Sequence, residues 1–209
     1  MKVTVLAETK VDDLPEDKKS TPLEVFVTIL GKFCKNNQGE YISHTKGTED
    51  WIRRYVLNLG HEGLLEHYSI TFLIKGISRV TSHQLVRHRI ASYLQQSQRS
   101  IECYSIGPSV VIPPKVLKNR AALEVYNEAL KVAKEAYRKL RRVGIPKEDA
   151  RYLVPGGYKT NIIMTVNLRS LRNMLKLRLD KHAQWEIREM FGKILDIMKT
   201  RSGVLFGSS

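Results

Sequence analysis

Residues 68–99 read YSITFLIKGISRVTSHQLVRHRIASYLQQSQR, and the change of pattern inside this stretch sets the kind of fold to expect. Tyr68 to Lys75 is rich in β-branched and aromatic residues and stops at Gly76, which predicts a strand. Ser78 to Arg89 returns to helical spacing, so a strand passes almost directly into a helix. Ile90 to Ser100 follows no single period and reads as an ordered loop or irregular turn. On the predicted helix Gln84, Arg87 and His88 fall within one turn on one face. The loop adds Ser92, Gln95, Gln96, Ser97, Gln98 and Arg99. Guanidinium forks match phosphate oxygens, while hydroxyls and amides both donate and accept, as a nucleobase edge requires. An anion cradle and a salt-bridged surface turn are both open on composition alone.

Upstream, MKVTVLAETK opens with a short alternating strand, and a charged linker runs from Asp12 to Lys19. Ser20-Thr21-Pro22 supplies a cap and a helix-starting proline for a helix over Leu23 to Phe33, followed by a polar loop. Thr48 is expected to cap a helix over Glu49 to Leu59, with Gly60 at its stop.

Downstream, Val110 to Ile112 predicts a short strand ended by Pro113-Pro114, and Lys115 to Val143 the longest helix. Val116, Ala122, Leu123, Tyr126, Leu130 and Tyr137 form part of its apolar stripe. A short helix over Pro146 to Leu153, a strand over Tyr158 to Val166 and helices over Arg169 to Leu179 and Ala183 to Lys199 complete the chain. Helices outnumber unevenly spaced strands. The expectation is an α+β fold: a small, largely antiparallel sheet wrapped by long helices, in one domain over 1–209 with a flexible tail from about 201.

The 209 residues carry 35 Lys and Arg against 21 Asp and Glu, a formal charge of +14. With 42% hydrophobic residues and no long apolar run, the composition suits a globular core and excludes a membrane span and wholesale disorder. The N-terminal segment lacks the apolar region and cleavage site of a secretory signal, so a cytoplasmic protein is expected. Cys34 and Cys103 are far apart without a CxxC and are expected to be reduced, partly buried thiols. Lys131, Lys134, Arg138, Lys139, Arg141 and Arg142 crowd one helix end. A solvated face that complements the helix dipole is the preferred reading over a nucleic-acid surface, because no nucleic-acid signature accompanies it. HEGLLEH (His61 to His67) invites a metalloprotease reading, but its histidines are six apart, about 120° round a helix, and no metal is expected.

RHRIASYLQQSQR, an Arg-His-Arg followed after seven residues by Ser and then by Arg two places on, resembles the signature of the flavin-dependent thymidylate synthases through Arg87, His88, Arg89, Ser97 and Arg99. HEGLLEH resembles the family's His-Glu-Ser-x-x-Glu-His segment, with Gly63 where Ser or Thr is frequent. VVIPP (Val110 to Pro114), Arg151 and NLRSLRNMLKLRLDKHAQWEIR (Asn167 to Arg188) are similar to segments that follow in the same order, so the resemblance covers roughly residues 50 to 195.

The resemblance implies reductive methylation of dUMP to dTMP, with methylenetetrahydrofolate as carbon donor, FAD as redox relay and NADPH as reductant. It implies FAD contacts at Gly63, Arg87, His88, Arg89, Gln95, Asn167, Leu168, Arg169 and Asn173. It implies dUMP contacts at Gln84, Leu85, Val86, Arg87, Gln95, Gln96, Ser97, Gln98, Arg99, Arg151 and Arg178, with Leu85, Val86 and Gln96 lining the pocket. Arg178 shares a helical side with Leu171 and Met174, where a guanidinium is unusual. By itself that reads as an arginine extending from a helix end to water; with the resemblance, Arg178 becomes the expected catalytic residue, stabilising negative charge on the uracil ring. Ser97 has no base among its sequence neighbours and is assigned to binding. A homotetramer with shared active sites is also implied, with no nucleic-acid or membrane partner.

Overall fold

The alternation in KVTVLAE produces β1 (Lys2–Glu8), in a computed structural model that describes residues 1–12, 14–15, 17–34, 47–104 and 109–207. Most of the polar loop expected after Phe33, and Asp13 and Glu16 of the charged linker, lie outside the described residues. α1 (Pro22–Phe33) starts as expected: the Glu24 N–H donates to Thr21 Oγ1 at 3.4 Å and the Thr21 N–H to Glu24 Oε2 at 3.0 Å. Gly47, not Thr48, caps α2 (Thr48–Trp51), which widens into a π-helical stretch over Ile52–Asn58. Thr48 instead donates its hydroxyl to Asp17 Oδ2 at 3.2 Å.

β2 (Ser69–Ser78) runs through Gly76 rather than stopping there, and α3 (Arg79–Leu85) follows at once. The segment expected to be a loop contains β3 (Ser92–Gln95), whose outer residues Ser92 and Leu94 face water while Tyr93 and Gln95 are half-buried. Val110 makes only an isolated antiparallel bridge to Tyr158, in place of the strand expected over Val110 to Ile112. The long helix is two: α4 (Pro114–Leu117) and α5 (Arg120–Arg142). Asn119 separates them because its side chain accepts the Ala122 N–H at 3.0 Å and caps α5. Of the expected stripe on α5 only Tyr137 is fully buried.

α6 (Lys147–Ala150), β4 (Lys159–Asn167), α7 (Leu168–Arg178) and α8 (Trp185–Arg201) follow the predicted order. The tail is not loose where it is described: α9 (Gly203–Phe206) buries Val204, Leu205 and Phe206, and Ser202 Oγ donates to Glu24 Oε1 at 2.6 Å. An apolar triplet with a capping serine has a reason to dock that a reading based on position in the chain overlooks.

The sheet is antiparallel with strand order β1-β2-β4-β3, and the fold is α+β as expected. The chain divides into two compact units, where the sequence reading expects one domain. The first comprises Met1–Lys2, Ile74–Arg87 and Tyr93–Ile163; the second comprises Val3–Leu73, His88–Ser92 and Met164–Ser209. In the first, Cys103, Tyr104, Tyr137, Ala150 and Tyr158 form a buried cluster. Its tyrosine rings meet edge to face at 5.3 and 5.6 Å, and the Tyr158 hydroxyl accepts the Tyr104 N–H at 3.0 Å. In the second, alternate residues of β2 and β4 and the inner faces of α1, α7 and α8 are buried, among them Ile70, Phe72, Met164, Leu171 and Phe191. Cys103 is buried, whereas Cys34 is exposed rather than partly buried.

Candidate functional site

The junction of β2 with α3 builds the cluster of candidate residues in the first unit. Gly76 adopts φ +74°, a conformation that β-carbon-bearing residues avoid, and its N–H donates to Asn161 Oδ1 at 3.0 Å. The other end of that amide, Asn161 Nδ2, donates to Gln96 Oε1 at 3.1 Å. Gln95 Nε2 donates to Ser82 Oγ at 2.8 Å and to Thr160 Oγ1 at 3.3 Å. Gln95 and Gln96 are thereby fastened to α3 and β4 by side-chain amides, a stiff base for the turn that follows.

In that turn Ser97 Oγ accepts the Arg99 N–H at 3.2 Å, and the Ser97 carbonyl accepts from Ser100 and Ile101. Gln98 Oε1 accepts from Arg79 Nη2 at 3.1 Å. Arg99 Nη2 lies 3.0 Å from Glu148 Oε2, and the carbonyl of the same Glu148 accepts Arg151 Nε at 3.0 Å. Ser97, Gln98, Arg99 and Arg151 therefore converge within the first unit. Among the described residues no base touches the Ser97 hydroxyl, which fits a binding residue and not a nucleophile.

The helix that was expected to reach Arg89 ends at Leu85, where the Leu85 carbonyl accepts the Tyr93 hydroxyl at 3.0 Å. Arg87, His88 and Arg89 thus sit beyond the helix, and the single helical face expected for Gln84, Arg87 and His88 does not form. Arg87 belongs to the first unit; His88 and Arg89 belong to the second. Leu85 and Leu168 are completely buried, so neither lines a pocket, and the Leu85 carbonyl and the Leu168 N–H are already bonded to Tyr93 and Tyr68. Val86 and Gln96 are exposed.

The second unit brings Arg178 and His88 together. Arg178 Nε donates to His88 Nε2 at 2.8 Å, so the half-buried guanidinium is held by an imidazole and is not simply extended into water. Burial and the adjacent Arg178 charge lower the His88 pKa, which favours the neutral ring that this acceptor role needs. His88 also meets the Phe191 ring edge-on at 6.3 Å.

Asn167 caps α7, its Oδ1 accepting the Ser170 N–H at 2.9 Å. Arg169 is paired with Glu66, and Arg172 Nε lies 3.4 Å from Glu62 Oε1; both glutamates come from HEGLLEH. Arg169, Asn173 and Arg89 are exposed. Gly63 is exposed and a β-carbon there would meet nothing within 4 Å, so a ligand has room to approach. A cofactor pyrophosphate needs cations and amide donors at an open surface, and this set supplies them. Asn173 borders a cavity of about 640 Å³ with Arg172, Lys176, Asp180, Leu205 and Phe206.

Sequence reasoning missed Arg79, which reads as an ordinary helix-start residue, and Asn161, whose clamp joins residues far apart in the chain. The carboxylates Glu66 and Glu148 were missed too. Asn161 lies on the half-exposed face of β4, where a polar residue is ordinary, so nothing in the sequence marked it.

The family model described as thymidylate synthase complementing protein matches residues 19–202. A flavin-dependent thymidylate synthase of Sulfurisphaera tokodaii is 43% identical over 180 residues, covering 84% of this chain and 69% of that protein. Its namesake in Pyrococcus furiosus is 44% identical over 151 residues, covering 71% and 62%. The chain thus spans about two thirds of the length of the relatives it matches. The crystal structure of thymidylate synthase X from Helicobacter pylori with FAD and dUMP superposes with a TM-score of 0.75 at 25% identity, over 99% of this chain and 97% of that one. The class is that of flavin-handling nucleotide enzymes. The chain belongs to the flavin-dependent thymidylate synthase family.

Proposed function

We propose that this protein methylates dUMP to dTMP, drawing the carbon from methylenetetrahydrofolate and the electrons from NADPH through FAD. The observation that carries the reading is the grouping of the matched residues. Ser97, Gln98, Arg99 and Arg151, the nucleotide set, gather in one unit, while His88, Arg89, Asn167, Arg169, Asn173 and Arg178 belong to the other. The Helicobacter pylori structure, which contains FAD and dUMP, supports these two molecules as the ligands.

When bound, FAD supplies the redox relay between NADPH and the carbon being transferred. Arg87, Arg89 and Arg169 would offer charge to its phosphates, His88 and Gln95 hydrogen bonds, and Asn167 and Asn173 amides, with Gly63 leaving close approach open. Ser97, Gln98, Arg99 and Arg151 would hold the phosphate and sugar of dUMP, beside Gln84, Arg87, Gln95, Gln96 and Val86. Arg178, oriented by His88, would face the uracil ring and stabilise the negative charge that lets carbon 5 attack.

A homotetramer with active sites shared between subunits, working in the cytoplasm without nucleic-acid or membrane partners, completes the proposal. Among the described residues no helix is long and apolar enough to cross a membrane. The basic end of α5 is in part engaged at home: Arg141 lies 3.2 Å from Glu102 Oε1, and Lys147 of α6 lies 3.8 Å from Glu102 Oε2. The purified protein should be yellow, with one FAD per chain, and should form dTMP from dUMP, methylenetetrahydrofolate and NADPH. A colourless protein that takes up no added FAD would defeat the reading.

A further inference from the structure

Asn161 stands on β4, which the strand order β1-β2-β4-β3 places between β2 and β3, so its side chain can reach a neighbour on either side. Toward β2 it meets Gly76, whose N–H donates to Asn161 Oδ1 at 3.0 Å. Toward β3 it meets Gln96, the residue after the end of that strand, whose Oε1 accepts from Asn161 Nδ2 at 3.1 Å. The Asn161 carbonyl also accepts the Gln96 N–H at 2.9 Å. Gln96 is therefore held by main chain and side chain together, directly before the turn that Ser97 and Arg99 close.

Gly76, Asn161 and Gln96 form a relay whose direction is fixed from one end. A backbone N–H only donates, so the Asn161 atom that meets Gly76 is the carbonyl oxygen. The Asn161 amine is thereby turned to Gln96, and Gln96 meets it with its own carbonyl oxygen. What remains outward is the Gln96 Nε2 group: Gln96 is exposed, and among the described residues its Nε2 donates to nothing. An amide free to turn would show a ligand either an acceptor or a donor. This one shows N–H donors, whose counterpart on a nucleotide is a phosphate or sugar oxygen.

We infer that Asn161 is a positioning residue for nucleotide binding: it sets the Gln96 amide with its NH2 end toward the ligand and pins the chain at the entry to the Ser97 turn. This role rests on the nucleotide reading of that turn given above and adds a residue outside the matched segments. Asn161 touches no ligand itself and acts through Gln96.

Asn161→Asp isolates the direction of the relay. The new carboxylate still accepts the Gly76 N–H, but its other oxygen cannot donate, so Gln96 must turn its NH2 inward and leave its carbonyl oxygen toward the ligand. In steady-state assays of the FAD-loaded protein the KM for dUMP should rise roughly fivefold, the loss expected for one hydrogen bond, with kcat at saturating dUMP, FAD content and melting temperature near wild type. Gln96→Met, which removes the amide, should raise KM by a similar factor, and Asn161→Asp added to it should cost nothing further. Repulsion between the new carboxylate and the dUMP phosphate would instead persist in the double variant, and that result would overturn the assignment. Asn161→Ala, which leaves Gln96 free to turn either way, should raise KM about twofold to threefold and serves if the Asp variant does not fold. An unchanged KM in the Asn161 variants would overturn the role, as would losses of melting temperature, FAD and kcat in step, which mark a structural residue. A wild type that binds no dUMP would sink the nucleotide reading itself, whereas a wild type and variants that bind it equally well would sink this role alone.

Discussion

Arg178 and Ser97 stand in different surroundings, and the difference separates their expected roles. Arg178 is held by His88 Nε2 at 2.8 Å and aims a fixed charge, whereas among the described residues the Ser97 hydroxyl meets only the Arg99 backbone N–H. Arg178→Ala should keep FAD and lose dTMP formation on the order of a hundredfold, about 3 kcal/mol of transition-state stabilisation. Ser97→Ala should raise the KM for dUMP and leave turnover measurable at saturation. If Ser97→Ala abolished turnover while Arg178→Ala matched wild type, the chemistry would be on the other residue. The His88 contact adds a pH dependence. Its pKa is lowered in the folded state, so the unfolded chain binds the proton more readily and acid favours unfolding. The contribution is complete above the ordinary value of about 6.5 and is lost as pH falls through the lower folded value. Thermal melts across that range should show this acid-side loss reduced in His88→Gln. At this scale the sequence displayed the charged residues well and their environments poorly. Leu85 and Leu168 match the family pattern, yet their side chains are in the core, because a match does not say whether side chain or backbone is used.

Elements with a strong period or cap were legible, and those defined by partners were not. The Thr21 capping box marked α1, and Asn167 stands directly before α7. β3 carried no readable alternation because its inward residues, Tyr93 and Gln95, are polar at their tips and its outward Leu94 is exposed. The break between α4 and α5 hides in an apolar period that continues across Lys118 and Asn119, and the Asn119 cap decides it. The helix expected to run to Arg89 ends early because Tyr93, from a strand that the sequence did not reveal, takes the Leu85 carbonyl. Asn167 offers a test that separates an element's stability from its ligand. Asn167→Ala should cost about 1 kcal/mol of stability by removing the α7 cap, as well as FAD affinity. Asn167→Ser retains a capping oxygen, so its melting temperature should stay near wild type while FAD is still bound more weakly. Equal FAD affinity in Asn167→Ser and wild type would confine the residue to capping.

Across the whole molecule, the matched residues divide between two compact units, and α5 leaves much of its surface unused. In this 23-residue helix only Tyr137 is fully buried, and Val125 and Val132 are 69% and 61% exposed. The two valines are seven residues apart, two helical turns, and so share one face. Exposed apolar side chains on one long helix suit contact with another copy of the chain, as the proposed homotetramer requires. Light scattering should give four times the 24.0 kDa chain mass. Val125→Glu with Val132→Glu should not unfold the chain, because both positions already face water, but should shift the mass toward smaller species. If sites are shared between subunits, dTMP formation should fall in step with the loss of tetramer, and raising the protein concentration should restore part of it by mass action. A double variant that stays tetrameric would place the interface elsewhere, and a strictly monomeric wild type with full activity would remove the shared-site proposal altogether.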